Sequence, residues 1–196
     1  MPPLDPDHYV VRKLWPLDFP AFRRHLKRLD PETRELRFGR PVNDTFLDAH
    51  AGTAGELGTL IYGAFDGREI HAAAELRPLP PGQGPIAEAA FTVEKHIQHH
   101  GLGTRLMDRI LTAAQNRGIS ELWMICLREN GSMRSLAGKF GARLEVEEGK
   151  VTGHIAPAFP TPMSLFDETW HEAQALMSAA LDPRSYPLIA MPGTQA

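Results

Sequence analysis

The sequence predicts a mixed α/β domain: a mostly antiparallel central sheet with helices packed on it, and one further helix at the C-terminal end. Three observations carry that prediction. Two strand-like segments meet at Asp66-Gly67, a hairpin signal because glycine accepts the positive φ that such turns require. The segments after that hairpin alternate between strand and helix, so sheet and helices share one core. A nearly unbroken apolar run at 121–127 (ELWMICL) suits a strand covered on both faces.

The elements follow in order. Residues 8–15 form a first strand, rich in β-branched and aromatic side chains. Asp18-Phe19-Pro20 opens a helix, with Asp18 as cap, Pro20 in the first turn, and Phe22, Leu26 and Leu29 at helical spacing. Asp30-Pro31-Glu32 repeats the start signal before 33–38, and Asn43-Asp44 opens a third short helix through Phe46 and Leu47. The hairpin strands are 58–65 and 69–76; the proline-rich stretch 78–85 is a loop. A strand at 86–93 leads to a helix at 101–117, whose Leu102, Leu106, Ile110 and Ala114 share one face and which stops at Arg117-Gly118. After strand 121–127, a short helix over 130–140 ends at Gly141, and 142–147 pairs with 150–155 around Glu148-Gly149. The last helix, 163–181, has Leu165, Trp170, Ala173, Leu176 and Met177 as apolar members; the tail 182–196 is expected to be loose. Residues 1–157 are expected to form the main domain, and 158–196 a helical extension and tail.

Composition narrows the class. A chain of 196 residues with 42% hydrophobic content can bury one real core. A net charge of -3 argues against bulk electrostatic binding to nucleic acid. No stretch approaches the ~18 apolar residues that span a membrane. A single cysteine, Cys126, allows no internal disulfide, and the N-terminus shows no basic start followed by an apolar core. Both features predict a cytoplasmic protein without a signal peptide.

The chemistry concentrates at Gln98-His99-His100-Gly101-Leu102-Gly103, between a strand and a helix. The first turn of a helix leaves N–H groups without partners and carries partial positive charge, and glycines let a phosphate approach them. A Walker loop is absent, and a dinucleotide fingerprint fails because Leu106 stands at its third glycine. The pattern that remains, Gln-x-x-Gly-x-Gly after a strand, resembles the pyrophosphate loop of the GNAT superfamily of N-acetyltransferases. The context agrees: an amphipathic helix follows, then an apolar strand, then Asn130 with a helix ending Lys139-Phe140-Gly141-Ala142, where the family more often has N…YxKxGF. The element order resembles the family over residues 8–155 and the motifs over 86–142. AExAFxV at 87–93 and Leu36-Arg37-Phe38 after two short helices resemble the bacterial protein lysine acetyltransferases in particular.

The resemblance implies a sheet whose two central strands splay apart, with acetyl-CoA as co-substrate. The loop residues Gln98, His99, His100, Gly101, Leu102, Gly103 and Thr104 would hold its pyrophosphate. The strand edge at Phe91, Thr92 and Val93 would pair with its pantetheine arm, and Asn130 would hydrogen-bond that arm, act as a plain helix N-cap, or both. His99 and His100 stand where the family often has Gly and Arg; an imidazole can donate to phosphate and gains charge near pH ~6.5. No metal is expected, since no carboxylate or cysteine completes a zinc spacing with His96, His99 and His100.

Acetyl transfer to an amine needs a base for the ammonium proton, polarisation of the thioester carbonyl, and a proton for the leaving thiolate. Backbone N–H groups at 91–93 answer the second need. For the base, Glu88 is the choice: a carboxylate in an apolar strand is costly unless used, and burial would raise its proton affinity. A glutamate at this place is taken as the base in the protein lysine acetyltransferases that the segment resembles. Glu75 is a second candidate, while Glu94 is expected to be exposed at the strand end. The family's usual tyrosine acid is replaced by Ala137, leaving water or Ser132 to protonate the thiolate. Cys126, in an apolar strand, is expected to be inert packing.

The acceptor is expected to be a primary amine, on a protein lysine or a small molecule. A non-catalytic acyl-CoA-binding or sensing module is the competing reading. Arg23, Arg24, Lys27 and Arg28 are expected to form a solvated helix face. For the last helix three roles stay open: covering the sheet, mediating a dimer, or shaping the acceptor pocket. Both a monomer and a homodimer are compatible with the sequence.

Overall fold

The computed structural model describes residues 8–80 and 84–181. The middle of the proline loop and the tail expected to be loose lie outside these residues. One seven-stranded sheet has the order β1-β2-β3-β4-β5-β7-β6. Its strands are β1 (Val10–Lys13), β2 (Leu60–Asp66), β3 (Glu69–Pro78), β4 (Ile86–Val93), β5 (Glu121–Leu127), β6 (Arg143–Glu147) and β7 (Lys150–Ile155). Every neighbouring pair is antiparallel except β4 and β5.

That parallel ladder is short. It joins Ile86, Ala87 and Glu88 to Glu121, Leu122 and Trp123 and stops there. Beyond it β4 continues to pair with β3 through Val93, and β5 with β7 through Leu127. The two central strands therefore diverge after Glu88, as the resemblance implies.

The helices are α1 (Phe19–Arg28), α2 (Pro31–Phe38), α3 (Asp44–Gly52), α4 (Leu102–Asn116), α5 (Gly131–Lys139) and α6 (Pro162–Leu181). Asp30 and Asn43 cap as expected, accepting from the N–H groups of Thr33 and Phe46. Asp18 does not. Its carboxylate is taken by the Arg12 guanidinium, at 2.6 and 2.8 Å, and by the N–H of Trp15. A charge-assisted pair outcompetes the cap.

Two cores lie on opposite faces of the sheet. On one, Phe22, Leu26 and Leu47 of α1 and α3 pack on Ile61, Phe65, Ile70 and Ala73. On the other, Leu102, Leu106, Met107 and Ile110 of α4 pack on Tyr62, Ala74, Leu76, Ala87, Leu122 and Met124. Each such side chain, fully buried, stabilises the fold by roughly 1.5–3 kcal/mol. Cys126 belongs to this second core, and burial pushes its thiol pKa up, which removes it from nucleophilic chemistry.

β5 was expected to be covered on both faces; it is covered fully on one. Leu122, Met124 and Cys126 are buried, but Trp123 is half-buried and Ile125 is 40% exposed. The cause is that the first helices pack mainly on β2 and β3, with only α2 reaching β4 and β5, so that face of β5 is covered in part.

Candidate active site

The path into the site begins at Glu94, just past β4. It was expected to be exposed and is 6% exposed. Arg28 donates to its Oε1 at 2.8 and 3.0 Å, His25 Nδ1 lies 3.1 Å from the same oxygen, and His71 Nδ1 lies 3.0 Å from Oε2. Burial alone would raise its pKa. The hydrogen bonds from His25 and His71 and the Arg28 charge outweigh burial and hold the carboxyl well below its ordinary range. Burial pushes His25 down, so it sits neutral. A carboxylate only accepts, so Nδ1 carries the proton toward Glu94 and Nε2 accepts from the Thr92 hydroxyl at 2.9 Å. The basic face of α1 is solvent-exposed at Arg23, Arg24 and Arg28 as expected, but its members are engaged: Arg28 bonds Glu94, and Arg23 and Lys27 both bond Asp48. Thr92, 3% exposed, turns its side chain into this network; only its backbone edge is left for the role expected of it.

A 3-10 turn, Lys95–Ile97, carries the chain from Glu94 into the glycine loop. The Gln98 side chain donates to the Val93 carbonyl at 3.0 Å and ties the loop back to β4. His99 and Gly101 both have positive φ, 65° and 82°. Gly101 is thus required by its conformation, immediately before α4.

Gly103 is different. It lies in the first turn of α4 without positive φ, and a Cβ added there would meet only Leu136 Cδ2, at 3.7 Å. Neither strain nor crowding within the chain calls for glycine, which costs roughly 0.5–1 kcal/mol against alanine inside a helix. A close approach by a group outside the chain, against N–H groups at a helix start, explains it. Replacing Gly103 with valine is expected to weaken acetyl-CoA binding at least about tenfold. The melting temperature should hold or rise, because a Cβ at this position meets no protein atom closer than 3.7 Å and glycine is a poor helix former. Calorimetric titration beside a thermal melt separates the two effects.

A cavity of about 590 Å³ opens here, between α2, the diverging edge of β4, the loop and the start of α5. It brings together Phe91, Val93, Gln98, His99, Gly101, Leu102, Gly103, Thr104 and Asn130. His100 and Glu88 are not in its lining. Asn130 accepts from the Met133 N–H at 3.0 Å, so the plain cap is realised and the residue lines the cavity as well.

The sequence reasoning missed two cations on this wall. Lys139 donates to Thr104 Oγ1 at 3.2 Å, linking the end of α5 to the start of α4. It was visible within Lys-Phe-Gly-Ala at the end of the motif, but only the fold sets it against the loop. Arg37 lines the cavity from α2 and reaches Glu75 Oε1 at 2.9 Å.

Glu75 is thereby removed as a base. It is 2% exposed and also held by His50 at 2.9 Å and Arg77 at 2.8 Å. Burial raises its pKa, but the charges of Arg37, His50 and Arg77 and the His50 hydrogen bond overcome this and hold it well below the ordinary range. Glu88 differs. Arg77 stands opposite it on β3, yet spends Nε and Nη2 on Glu75. Among the described residues no hydrogen bond or ion pair engages Glu88. It is half-buried rather than buried, because the face beside it on β5 is covered only in part. Its partner across the parallel ladder is Trp123, the last pair before the strands part. Ala137 is 2% exposed and offers no hydroxyl, whereas Ser132 lines the cavity.

A sheet parted between two parallel strands, with a glycine-bearing helix start at the mouth of the gap, defines an acetyltransferase of the coenzyme A-dependent kind. A family model described as the acetyltransferase (GNAT) family matches residues 19–142, and the chain belongs to that family. Solved structures agree on the fold. The GNAT domain of the Streptomyces lividans protein PAT is 21% identical, with a TM-score of 0.65, covering 74% of this chain and 89% of that one. A putative acetyltransferase from Salmonella typhimurium, solved with its cofactor acetyl-CoA, is 15% identical, with a TM-score of 0.59 and coverage of 79% and 98%. A cAMP-binding acyltransferase from Mycobacterium smegmatis is 21% identical, with a TM-score of 0.55; the match covers 89% of this chain and 53% of that one. No curated protein matches the sequence.

Proposed function

We propose that the protein transfers the acetyl group of acetyl-CoA to a primary amine by direct attack in a ternary complex, with Glu88 as general base. The observation that carries this is the position of Glu88: a carboxylate without a partner among the described residues, at the last residue pair before β4 and β5 diverge. Acetyl-CoA, when bound, supplies an acetyl group activated as a thioester. The start of α4, with Gly101, Gly103 and Thr104, and the side chains of Lys139 and His99 would hold its pyrophosphate. The β4 edge at Phe91 and Val93 would take the pantetheine arm, with backbone N–H groups directed at the carbonyl. Glu88 would accept the proton of an ammonium whose ordinary pKa is ~10.4. Ser132 or water would return one to the thiolate.

A protein lysine is the first acceptor to try. The partly covered face beside Glu88, with Trp123 half-buried and Ile125 exposed, is broad enough for a side chain presented by another protein. A small-molecule amine is the alternative acceptor. We place the boundary of this catalytic unit at residue 157, with 158–196 as an extension, and its location in the cytoplasm. No helix among the described residues is long and apolar enough to cross a membrane.

Initial velocities over a grid of acetyl-CoA and lysine-peptide or polyamine concentrations test the mechanism. Intersecting double-reciprocal lines are expected. Parallel lines would indicate a covalent acetyl-enzyme and sink the direct-attack reading. Saturable acetyl-CoA binding without transfer to any amine would favour a sensing module.

A further inference from the structure

α6 is turned the wrong way round for a helix that only covers its own domain. Its inward face is mainly polar, with Ala175 as the buried apolar side chain among the described residues. Ser164 is 8% exposed and bonds Asn116, while Glu168 accepts from Asn116 Nδ2 at 2.6 Å and Arg117 Nη1 at 2.9 Å. Its apolar side chains point to solvent: Met163 is 67% exposed, Phe166 58%, Trp170 53% and Met177 66%. A surface helix ordinarily buries its apolar stripe and wets the other side. The inward hydrogen bonds fix the rotation of the helix, so the apolar stripe is held outward.

Residues 163, 166, 170, 173 and 177 alternate steps of three and four, the spacing of a seam between paired helices. Phe166 and Trp170 stack with ring centroids 6.0 Å apart. At their exposures they leave roughly 200 Å² of aromatic surface in water. With Met163, Leu176, Met177 and Leu181 the patch reaches on the order of 600 Å², the upper end of what monomers show and near the ~800 Å² that each partner of a stable dimer contributes.

We propose that α6 pairs with α6 of a second copy of this chain, antiparallel about a twofold axis near residues 171 and 172. Charge supports self-pairing. Of the positions flanking the seam, 162, 167, 169, 174, 176 and 181, only Asp167 is ionisable, so an oppositely charged partner has little to grip. Antiparallel register sets Asp167 beside the partner's Gln174 and avoids like-charge contact. Trp170 then lies over the partner's Ala173, large against small, and Phe166 meets the partner's Met177, ring against sulfur. A parallel pair would stack Trp170 on its own copy and face alanine with alanine, leaving a gap. No described residue of α6 lines the cavity, so pairing through α6 uses none of its lining.

Light scattering on the eluting full chain, at micromolar concentration, should give twice the monomer mass of 21.7 kDa. Trp170→Glu should return it to the monomer mass with an unchanged circular dichroism spectrum. Asp167→Cys with Gln174→Cys should oxidise to a covalent dimer, while neither single variant should. Within one helix those positions are ~10.5 Å apart, too far for a disulfide. A monomeric wild type overturns the proposal, and one destabilised by Trp170→Glu would assign the seam to residues 182–196. A dimer that survives Trp170→Glu overturns it as well. None of these readouts depends on acetyl transfer.

Discussion

Glu88→Gln is expected to lower kcat by roughly 10²- to 10⁴-fold, the usual contribution of a positioned general base. Acetyl-CoA affinity should stay within about twofold, because Glu88 lies outside the lining of the coenzyme cavity. Gln matches Glu in shape and cannot take a proton. Since Glu88 makes no hydrogen bond or ion pair to a described residue, the substitution leaves no group of the chain unsatisfied. The melting temperature should therefore barely move, and the loss would belong to proton transfer. Steady-state kinetics together with an acetyl-CoA titration decide it. Wild-type kcat in the variant would assign the base elsewhere, while joint loss of binding and turnover would mean that Glu88 shapes the site instead.

Glu75→Ala should destabilise the fold by roughly 3–5 kcal/mol, because it strands Arg37, His50 and Arg77 around an emptied buried position. For a chain of this length that is a fall in melting temperature on the order of 10 °C. The effect depends on pH in a defined direction. The folded pKa of Glu75 lies below the ~4.3 of an unfolded glutamate. Its contribution is complete above that value and fades as pH falls through the depressed folded pKa. Wild type and variant should thus differ most near neutral pH and converge in acid. Thermal melts from pH 3 to 7, an interval chosen to bracket the unfolded pKa, measure this; a constant gap would show that lost packing, not charge, dominates. Arg37 also lines the coenzyme cavity, so the same variant should loosen acetyl-CoA binding.

Local signals in the sequence were read correctly wherever local chemistry decides. The hairpin at Asp66-Gly67, the caps at Asp30 and Asn43, the helix after Gly101 and the turn at Glu148-Gly149 all depend on a few adjacent residues. The glycine loop that opens α4, proposed to hold acetyl-CoA, was legible for the same reason. What stayed hidden depends on residues far apart in the chain. Glu94 is buried because α1 supplies His25 and Arg28 and β3 supplies His71. Asp18 leaves its cap because β1 presents Arg12. Glu88 is less buried than its apolar neighbours suggested, since the first helices cover Trp123 and Ile125 beside it only in part. The apolar members of α6 were found, but periodicity gives a stripe without saying which way it faces.

The three-residue ladder between β4 and β5 has a consequence for how the chain finds its shape. The strands β2 to β4 form a meander of close neighbours in sequence, to which β1 is added at the edge across α1, α2 and α3, and β6 and β7 form a hairpin that extends β5. Each half can assemble from near contacts, which are quick to search. Only the narrow ladder, bridged by α4, commits one half to the other within the sheet, and it closes beside the residue proposed to do the chemistry. The domain is thus two locally wired pieces with a seam, and the proposed active site is built on that seam.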